Sequence, residues 1–403
     1  MNPVLMTKVP QFDAAFLLTA VILAVIAGIT LLFFYTLGHR ALRRIRARRY
    51  DALELKIHKQ WREIVRGEIP ADQWRNDPMQ CDILQSIVIQ EIGAATDKDR
   101  AGLQEFLRSS GLVDSCIRKV YEGHGWARRR AMLALGAMRV PEAISPLTEL
   151  LDDWQFDTRL AAVQGLGRTG LPEAAHPIIE MLMIDGLKVP SDPVTNALVC
   201  CFMTRPEALL PFIQRSLGDS RELLARVASE IATPGLADEM MLLAADARPE
   251  VRAAAARALA IAPLALSIPT LGDLVQDEVW FVRLRATSSL NRIGHPRTIP
   301  VLLEAVRDSN RLVRIRAASA LAKFEHETVD ILQSVVDSRD RYALHSMISA
   351  LDLSGGFDKV MAELADPLLH DEAAGRLLDA LRESAAGLWT TRPADPVVQS
   401  VFP

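Results

Sequence analysis

Across 403 residues, 46 Lys and Arg stand against 50 Asp and Glu, and the charge is unevenly spread. Apart from Lys8, Asp13 and six arginines at positions 40–49, the chain holds 39 basic and 49 acidic residues. The resulting net charge of −10 over residues 50–403 excludes a nucleic-acid interface, which needs a basic face to release counterions. The four cysteines, Cys81, Cys116, Cys200 and Cys201, form no CxxC pair and fit reduced, buried thiols in a reducing compartment.

Residues 1–13 form a short N-terminal segment carrying only Lys8 and Asp13. Residues 14–37, AAFLLTAVILAVIAGITLLFFYTL, are uncharged. A helix of that length reaches about 36 Å and so spans a hydrocarbon core of ~30 Å with some tilt. Arg40, Arg43, Arg44, Arg46, Arg48 and Arg49 follow at once. Positive flanks stay on the cytoplasmic side, so the pattern predicts a single-pass inner-membrane protein with its N-terminus outside. A cleaved signal peptide fits poorly, because the apolar run is too long and the basic cluster follows it. Each arginine near an anionic leaflet adds roughly 1 kcal/mol of attraction, so acidic lipid headgroups are expected partners. Ala20, Ala24 and Gly28 recur at four-residue spacing, as in helices that meet another span, although lipid exposure is the simpler expectation for that face.

Residues 38–79 read as a basic juxtamembrane helix and linker. Tyr50, Leu53, Ile57, Trp61 and Ile64 give an apolar stripe, and Pro70 and Pro78 are expected to stop the helix. From 80 to 388 the chain is rich in Ala, Leu and Arg, and it repeats. Arg128, Gly136, Pro141 and Pro146 recur 31 residues later as Arg159, Gly167, Pro172 and Pro177. Arg252, Arg283 and Arg314 keep the same step. Asp153, Asp246, Asp277 and Asp308 each stand six residues before Arg159, Arg252, Arg283 and Arg314. Between these markers the apolar residues recur at helical spacing: Ile299, Leu302, Leu303 and Val306, then Val313, Ala317, Leu321 and Phe324. No run alternates as a strand does. Each unit is therefore a helix, a short turn and a second helix.

The pattern I-P-x-L…D…V-R-x-x-A-A-x-A-L resembles the HEAT repeats, in particular the short bacterial type also seen in bilin lyases. The resemblance implies an all-α fold, a right-handed α-solenoid of helical hairpins with one concave face, here preceded by one transmembrane helix. It also implies that Asp153, Asp246, Asp277 and Asp308 form a hydrogen-bonded ladder with Arg159, Arg252, Arg283 and Arg314. It degrades over 186–246, where Pro190 occupies the expected arginine position, and again past Glu325. A lone hairpin cannot bury its apolar face, so eight or nine hairpins are expected to share one core. Truncating a leucine such as Leu303 is expected to cost ~2–5 kcal/mol. Residues 371–384 read as a last helix, and 389–403 as a loose tail.

Several motifs invite chemistry and have plainer readings. Gly165-Leu166-Gly167-Arg168-Thr169-Gly170 matches G-x-G-x-x-G but lies in a repeat where glycines are expected to end a helix. Glu325-His326-Glu327 and His370-Asp371 supply too few ligands for the metal centre of a di-iron hydroxylase, whose fold HEAT-like repeats can also build. Cys200 and Cys201 read as core or boundary positions. No nucleophile triad, P-loop or H-E-x-x-H is legible, so no enzyme activity, cofactor, metal or small-molecule substrate is expected. Arg130, Arg285 and Arg316, each two residues beyond a repeat arginine, together with Trp126, Trp280 and Phe281, are candidate partner-binding residues, since Arg and aromatics dominate binding hot spots. The plainer alternative is a solvated helix face with packed aromatics at its edge.

Taken together, the residues predict a membrane-anchored cytoplasmic scaffold that binds a protein partner. An accessory subunit of a membrane complex, such as polysaccharide-synthesis or secretion machinery, is one such role. A HEAT-like enzyme of the bilin-lyase or hydroxylase type, with a deep acidic, His- or Cys-lined pocket, and a ligand-sensing regulator are the alternatives.

Overall fold

The computed structural model describes residues 14–65, 78–94, 97–365 and 372–390. Every regular element among them is a helix. The chain divides into two compact units, Met1–Cys116 and Ile117–Pro403.

In the first unit, α1 (Ala14–Val65) runs unbroken through the apolar stretch, the arginines and the apolar stripe. Residues 21–45 are exposed throughout. Among the described residues nothing in the unit covers the large side chains there: Leu23, Leu31 and Phe34 are each about two-thirds exposed or more. The far end of α1 behaves differently and packs on α2 (Pro78–Ala94) and α3 (Asp97–Ser109). Ile57 is fully buried there with Ile83, Leu84, Ile87, Ile92, Leu103 and Leu107. Of the expected stripe, Leu53 and Trp61 flank Ile57 half-buried, Tyr50 is exposed, and the Ile64 side chain lies outside the described residues. Pro78 opens α2 instead of stopping a helix, as suits a residue that lacks an N–H and has a preset φ. Pro70 lies outside the described residues. The helices of residues 80–109, expected to open the repeat array, group with the end of α1.

Helix α4 (Leu112–Glu122) carries the boundary between the units. Beyond it, α5 (Gly125–Ala137), α7 (Phe156–Thr169), α9 (Ser191–Phe202), α11 (Gly218–Glu230) and α13 (Pro249–Ala258) alternate with α6 (Ile144–Thr148), α8 (Pro172–Ile184), α10 (Leu210–Arg215) and α12 (Ala237–Ala244). The alternation continues with α14 (Leu264–Val275), α15 (Trp280–Ile293), α16 (Ile299–Ala305), α17 (Arg311–Leu321) and α18 (Thr328–Asp337). It closes with α19 (Arg341–Ser354), α20 (Phe357–Leu364) and α21 (Glu372–Thr390). The odd-numbered helices from α5 to α21 pack in one row, each against the next. Eight hairpins, from α6–α7 to α20–α21, follow α5 among the described residues, in line with the expected repeat count. The second unit is thus a solenoid of helical hairpins.

Local chemistry sets the turns. Pro141, Pro172, Pro206, Pro234 and Pro296 open first helices or the 3-10 turns leading into them. Gly170, Gly294 and Gly355 end second helices in the left-handed region that glycine adopts without strain. Arg139 and Arg339 take that conformation with a side chain. The core forms where the apolar spacing placed it: Leu302, Val306, Val313, Ala317 and Leu321 are buried. Leu303 is only half-buried, and Leu302 is the leucine that fills the core. The last helix runs on to Thr390, past the expected end at 384, and the rest of the expected tail lies outside the described residues.

Candidate functional site: the aspartate–arginine ladder and the groove at its end

The ladder is built at one turn of each hairpin. The aspartate stands two residues before the N-cap of a second helix, and the arginine four residues after that N-cap. The aspartate Oδ1 accepts the N-cap backbone N–H: Gln155 N–H to Asp153 (2.8 Å), Arg248 N–H to Asp246 (3.0 Å), Val279 N–H to Asp277 (2.8 Å) and Asn310 N–H to Asp308 (2.6 Å). The arginine Nη1 donates back to the main chain of its own turn, as Arg252 does to the Asp246 carbonyl (2.9 Å) and Arg283 to the Asp277 carbonyl (2.8 Å). Its other edge reaches forward to the next repeat. Arg252 Nε and Nη2 hold the Asp277 carboxylate at 2.6 and 2.9 Å, and Arg283 holds Asp308 at the same distances.

These forked pairs are nearly dry. The Asp277 and Asp308 side chains are 7% and 6% exposed. Burial pushes the Asp277 carboxyl upward, but hydrogen bonds from Arg252 and the Val279 N–H, with the charges of Arg252 and Arg283, outweigh it and hold the group below its ordinary value. The hydrogen bonds to Asp277 and Asp308 raise Arg252 and Arg283 above the ordinary arginine value.

All eight expected ladder residues sit in these turns, but two arginines lack a carboxylate. Arg159 Nη1 bonds the Asp153 carbonyl (3.0 Å), while its Nη2 reaches only the Lys188 carbonyl (3.4 Å) and its buried Nε has no partner. Lys188 occupies the aspartate position of that turn and pairs with Asp152 and Asp185. Counting by 31 placed Pro190 at the arginine position. The structure makes Pro190 the N-cap of α9, so Val194 stands where the arginine belongs. The stretch from Pro172 to this N-cap is four residues longer than the one from Pro141 to Gln155, which is why the count slips.

Two further arginines join the ladder: Arg128, which the repeat aligns with Arg159, and Arg221. Arg128 bonds Asp153 (3.2 Å) and the Val120 carbonyl (2.8 Å). Arg221 bonds Asp246 (2.6 Å) and the Ile213 carbonyl (2.8 Å). The signal for Arg221 was present: it lies one step of 31 before Arg252.

The ladder stops at Arg314. Its Nη1 bonds the Asp308 and Ser309 carbonyls (2.8 and 2.9 Å), but its buried Nε has no partner. Ser338 holds the aspartate position of the next turn. Its Oγ accepts the Asp340 N–H (3.3 Å), as an aspartate would, yet offers Arg314 no charge. Tyr342 lies over the Arg314 guanidinium at 5.2 Å instead. Beside it, between α17 and α19, opens a groove of about 710 Å³.

The candidate recognition residues fall into two places. Arg130 stacks over Trp126 at 5.5 Å on α5, both exposed. Trp280 and Phe281 meet edge-to-face at 6.0 Å at the start of α15, where Arg285 is exposed; Arg316 follows on α17, half-buried. Helices α7, α9, α11 and α13 lie between the two groups in the row.

The glycine motif proves to be packing chemistry. Only Gly170 ends a helix. Gly165 and Gly167 lie inside α7, where the backbone touches its neighbours. A Cβ on Gly136 would meet the Gly165 carbonyl at 2.0 Å, and one on Gly167 would meet Ala197 Cα at 2.5 Å. Of the cysteine pair, Cys200 is exposed and Cys201 is buried. Burial, with the neighbouring Cys200 and Glu173, pushes the Cys201 thiol up to about 12. Glu325, His326 and Glu327 form a 3-10 turn before α18, with Glu325 and His326 exposed and Glu327 half-buried.

Residues 118–187, 237–322 and 268–352 match the family profile for HEAT repeats, so HEAT repeats lie within the second unit. The unmatched stretch between 187 and 237 contains the irregular turn at Lys188 and Pro190. No curated protein matches the sequence. Among solved structures, human deoxyhypusine hydroxylase is 18% identical with a TM-score of 0.27, covering 70% of this chain and all of that one. Kap95p, in a structure with RanGDP, is 13% identical with a TM-score of 0.35, covering 80% of this chain and 56% of that one. The CpcE–CpcF phycocyanin lyase of Nostoc sp. is 19% identical with a TM-score of 0.23, covering 66% and 94%. Likeness at this level transfers neither activity nor partner.

Proposed function

We propose that this chain is a non-enzymatic, membrane-anchored scaffold whose HEAT solenoid binds a protein partner on the cytoplasmic side. The observation that carries the reading is α1. Its apolar first half is long enough to cross a membrane, lies uncovered within its unit, and passes directly into the arginine cluster. A soluble helix with that face exposed would aggregate; a lipid-embedded one is at its lowest free energy. Of the cluster, Arg40, Arg43, Arg44, Arg48 and Arg49 are exposed, as headgroup contacts require, and the Arg46 side chain lies outside the described residues. The partner is a protein because the solenoid presents rows of helix faces, with Trp126, Trp154 and Trp280 exposed at its turns. A membrane complex that the anchor also touches is the simplest client.

Membrane fractionation with alkaline washing tests the anchor: the chain stays in the pellet, and recovery in the wash would end the reading. Affinity capture in mild detergent tests the scaffold: a stoichiometric partner is expected, and its absence would count decisively against scaffolding. Charge reversal at Arg285 and Arg316 tests the aromatic–arginine patch; unchanged capture would remove that patch from the interface.

A further inference from the structure

The groove between α17 and α19 is where the ladder runs out of carboxylates. Arg311, Arg314 and Lys323 line it, and no Asp or Glu does among the described residues. That sign stands out on a stretch of chain with a net charge of −10. The hydroxyls of Ser346 and Ser349 donate to the Tyr342 and His345 carbonyls, so neither supplies a charge. His345, exposed on the same wall, has its pKa lowered by desolvation and by the Arg341 charge. The walls also carry Leu353, 61% exposed, and Tyr342, 72% exposed. The groove is therefore cationic at both ends, with Arg311 and Arg314 at one and Lys323 at the other, and apolar on one wall.

We propose that this groove takes an acidic segment of the partner protein, with one carboxylate pairing with the Arg314 guanidinium, which lacks the aspartate that Arg252 and Arg283 hold. The inference rests on the scaffold reading and gives it a location. At Arg252 and Arg283 the forward-facing edge of the guanidinium is a two-pronged carboxylate holder; at Arg314 the same edge holds nothing. Arg311 and Lys323 stand at opposite ends of α17, roughly 18 Å apart along the helix. One small carboxylate cannot meet both. An extended peptide with spaced acidic side chains can, and its apolar residues would lie on Leu353 and Tyr342.

The test uses the purified full chain in mild detergent and a fluorescein-labelled peptide of alternating Glu and Leu, with a Lys–Leu peptide as control. The acidic peptide is expected to bind and the basic one not. Arg311→Glu with Lys323→Glu, both exposed and outside the ladder, should weaken binding at least ~10-fold without changing the circular dichroism spectrum. Ser338→Asp should also weaken binding, by giving Arg314 a carboxylate from its own chain. Equal affinity in the double variant overturns the proposal. Complete displacement by citrate at matched carboxylate concentration also overturns it, in favour of a small-molecule anion. The two readings fail separately. A native partner captured equally by wild type and double variant keeps the scaffold and removes the groove. Groove-dependent peptide binding with no captured partner keeps the groove's acidic preference and removes the scaffold.

Discussion

The solenoid joins its repeats in two ways. From α11 to α17, neighbouring hairpins are tied by consecutive ion pairs: a single contact from Arg221 to Asp246, then forks from Arg252 to Asp277 and from Arg283 to Asp308. From α5 to α9 the ladder has one looser pair, Arg128 to Asp153, and then fails at Arg159. There the helices meet backbone to backbone, with Gly136 against Gly165 and Gly167 against Ala197. The first solution is electrostatic. The second is steric, with no room for a Cβ at Gly136 or Gly167. Where the ladder fails between α7 and α9, the main chains close the gap at Gly167.

The contrast can be broken from either side. The largest effect is expected at Asp277→Ala. It strands Arg252 in a nearly dry site and removes the acceptor for the Val279 N–H, so unfolding measured by urea titration should lose ~3–5 kcal/mol. The same change at Asp153, whose pair is longer, should cost visibly less. Next comes Gly136→Ala. Its Cβ meets main chain and not a flexible side chain, so the expected cost is ~1–3 kcal/mol by overpacking, read as a drop in the thermal midpoint. Unchanged stability in the Gly136→Ala variant would show that α5 and α7 do not need the close approach. Smaller, and positive, is Ser338→Asp, which supplies the missing rung at Arg314; a gain of about 1 kcal/mol is expected in the same titration.

Acid should separate the two regions as well. The Asp277 carboxyl is held below its unfolded value of about 3.9, so its stabilisation is complete above that pH and is lost as the pH falls through the folded value. Hydrogen exchange below pH ~4 should loosen α13 and α15 before α5 and α7, because glycine contacts do not titrate. Exchange that rises equally in both would mean the ladder contributes little.

Much of this was readable from residue order alone. The repeat, its hairpin form and the ladder aspartates follow from a fixed step of 31, because each hairpin must present the same face to the next. What hid was whatever changed the length of a hairpin. Four extra residues between Pro172 and Pro190 moved the arginine position from Pro190 to Val194, and one residue fewer between the N-caps Asn310 and Asp340 put Ser338 where an aspartate was due. Counting cannot register an insertion that is later compensated. The glycines misled differently: Gly165 and Gly170 look alike in sequence, yet one lies under a neighbour's backbone and the other ends a helix with φ of 63°. The groove at Arg314 could not be read at all, since it exists through the absence of a partner across a turn.

The continuity of α1 reaches beyond stability. After Gly38, neither glycine nor proline interrupts the helix before Val65, so the apolar stretch and the buried Ile57 belong to a single rigid shaft. Its two ends share one angular phase. Removing a single residue among the arginines would turn the Ile57 face by about 100° and draw it in by about 1.5 Å. A twist imposed on one end therefore has an unbroken helical path to the other.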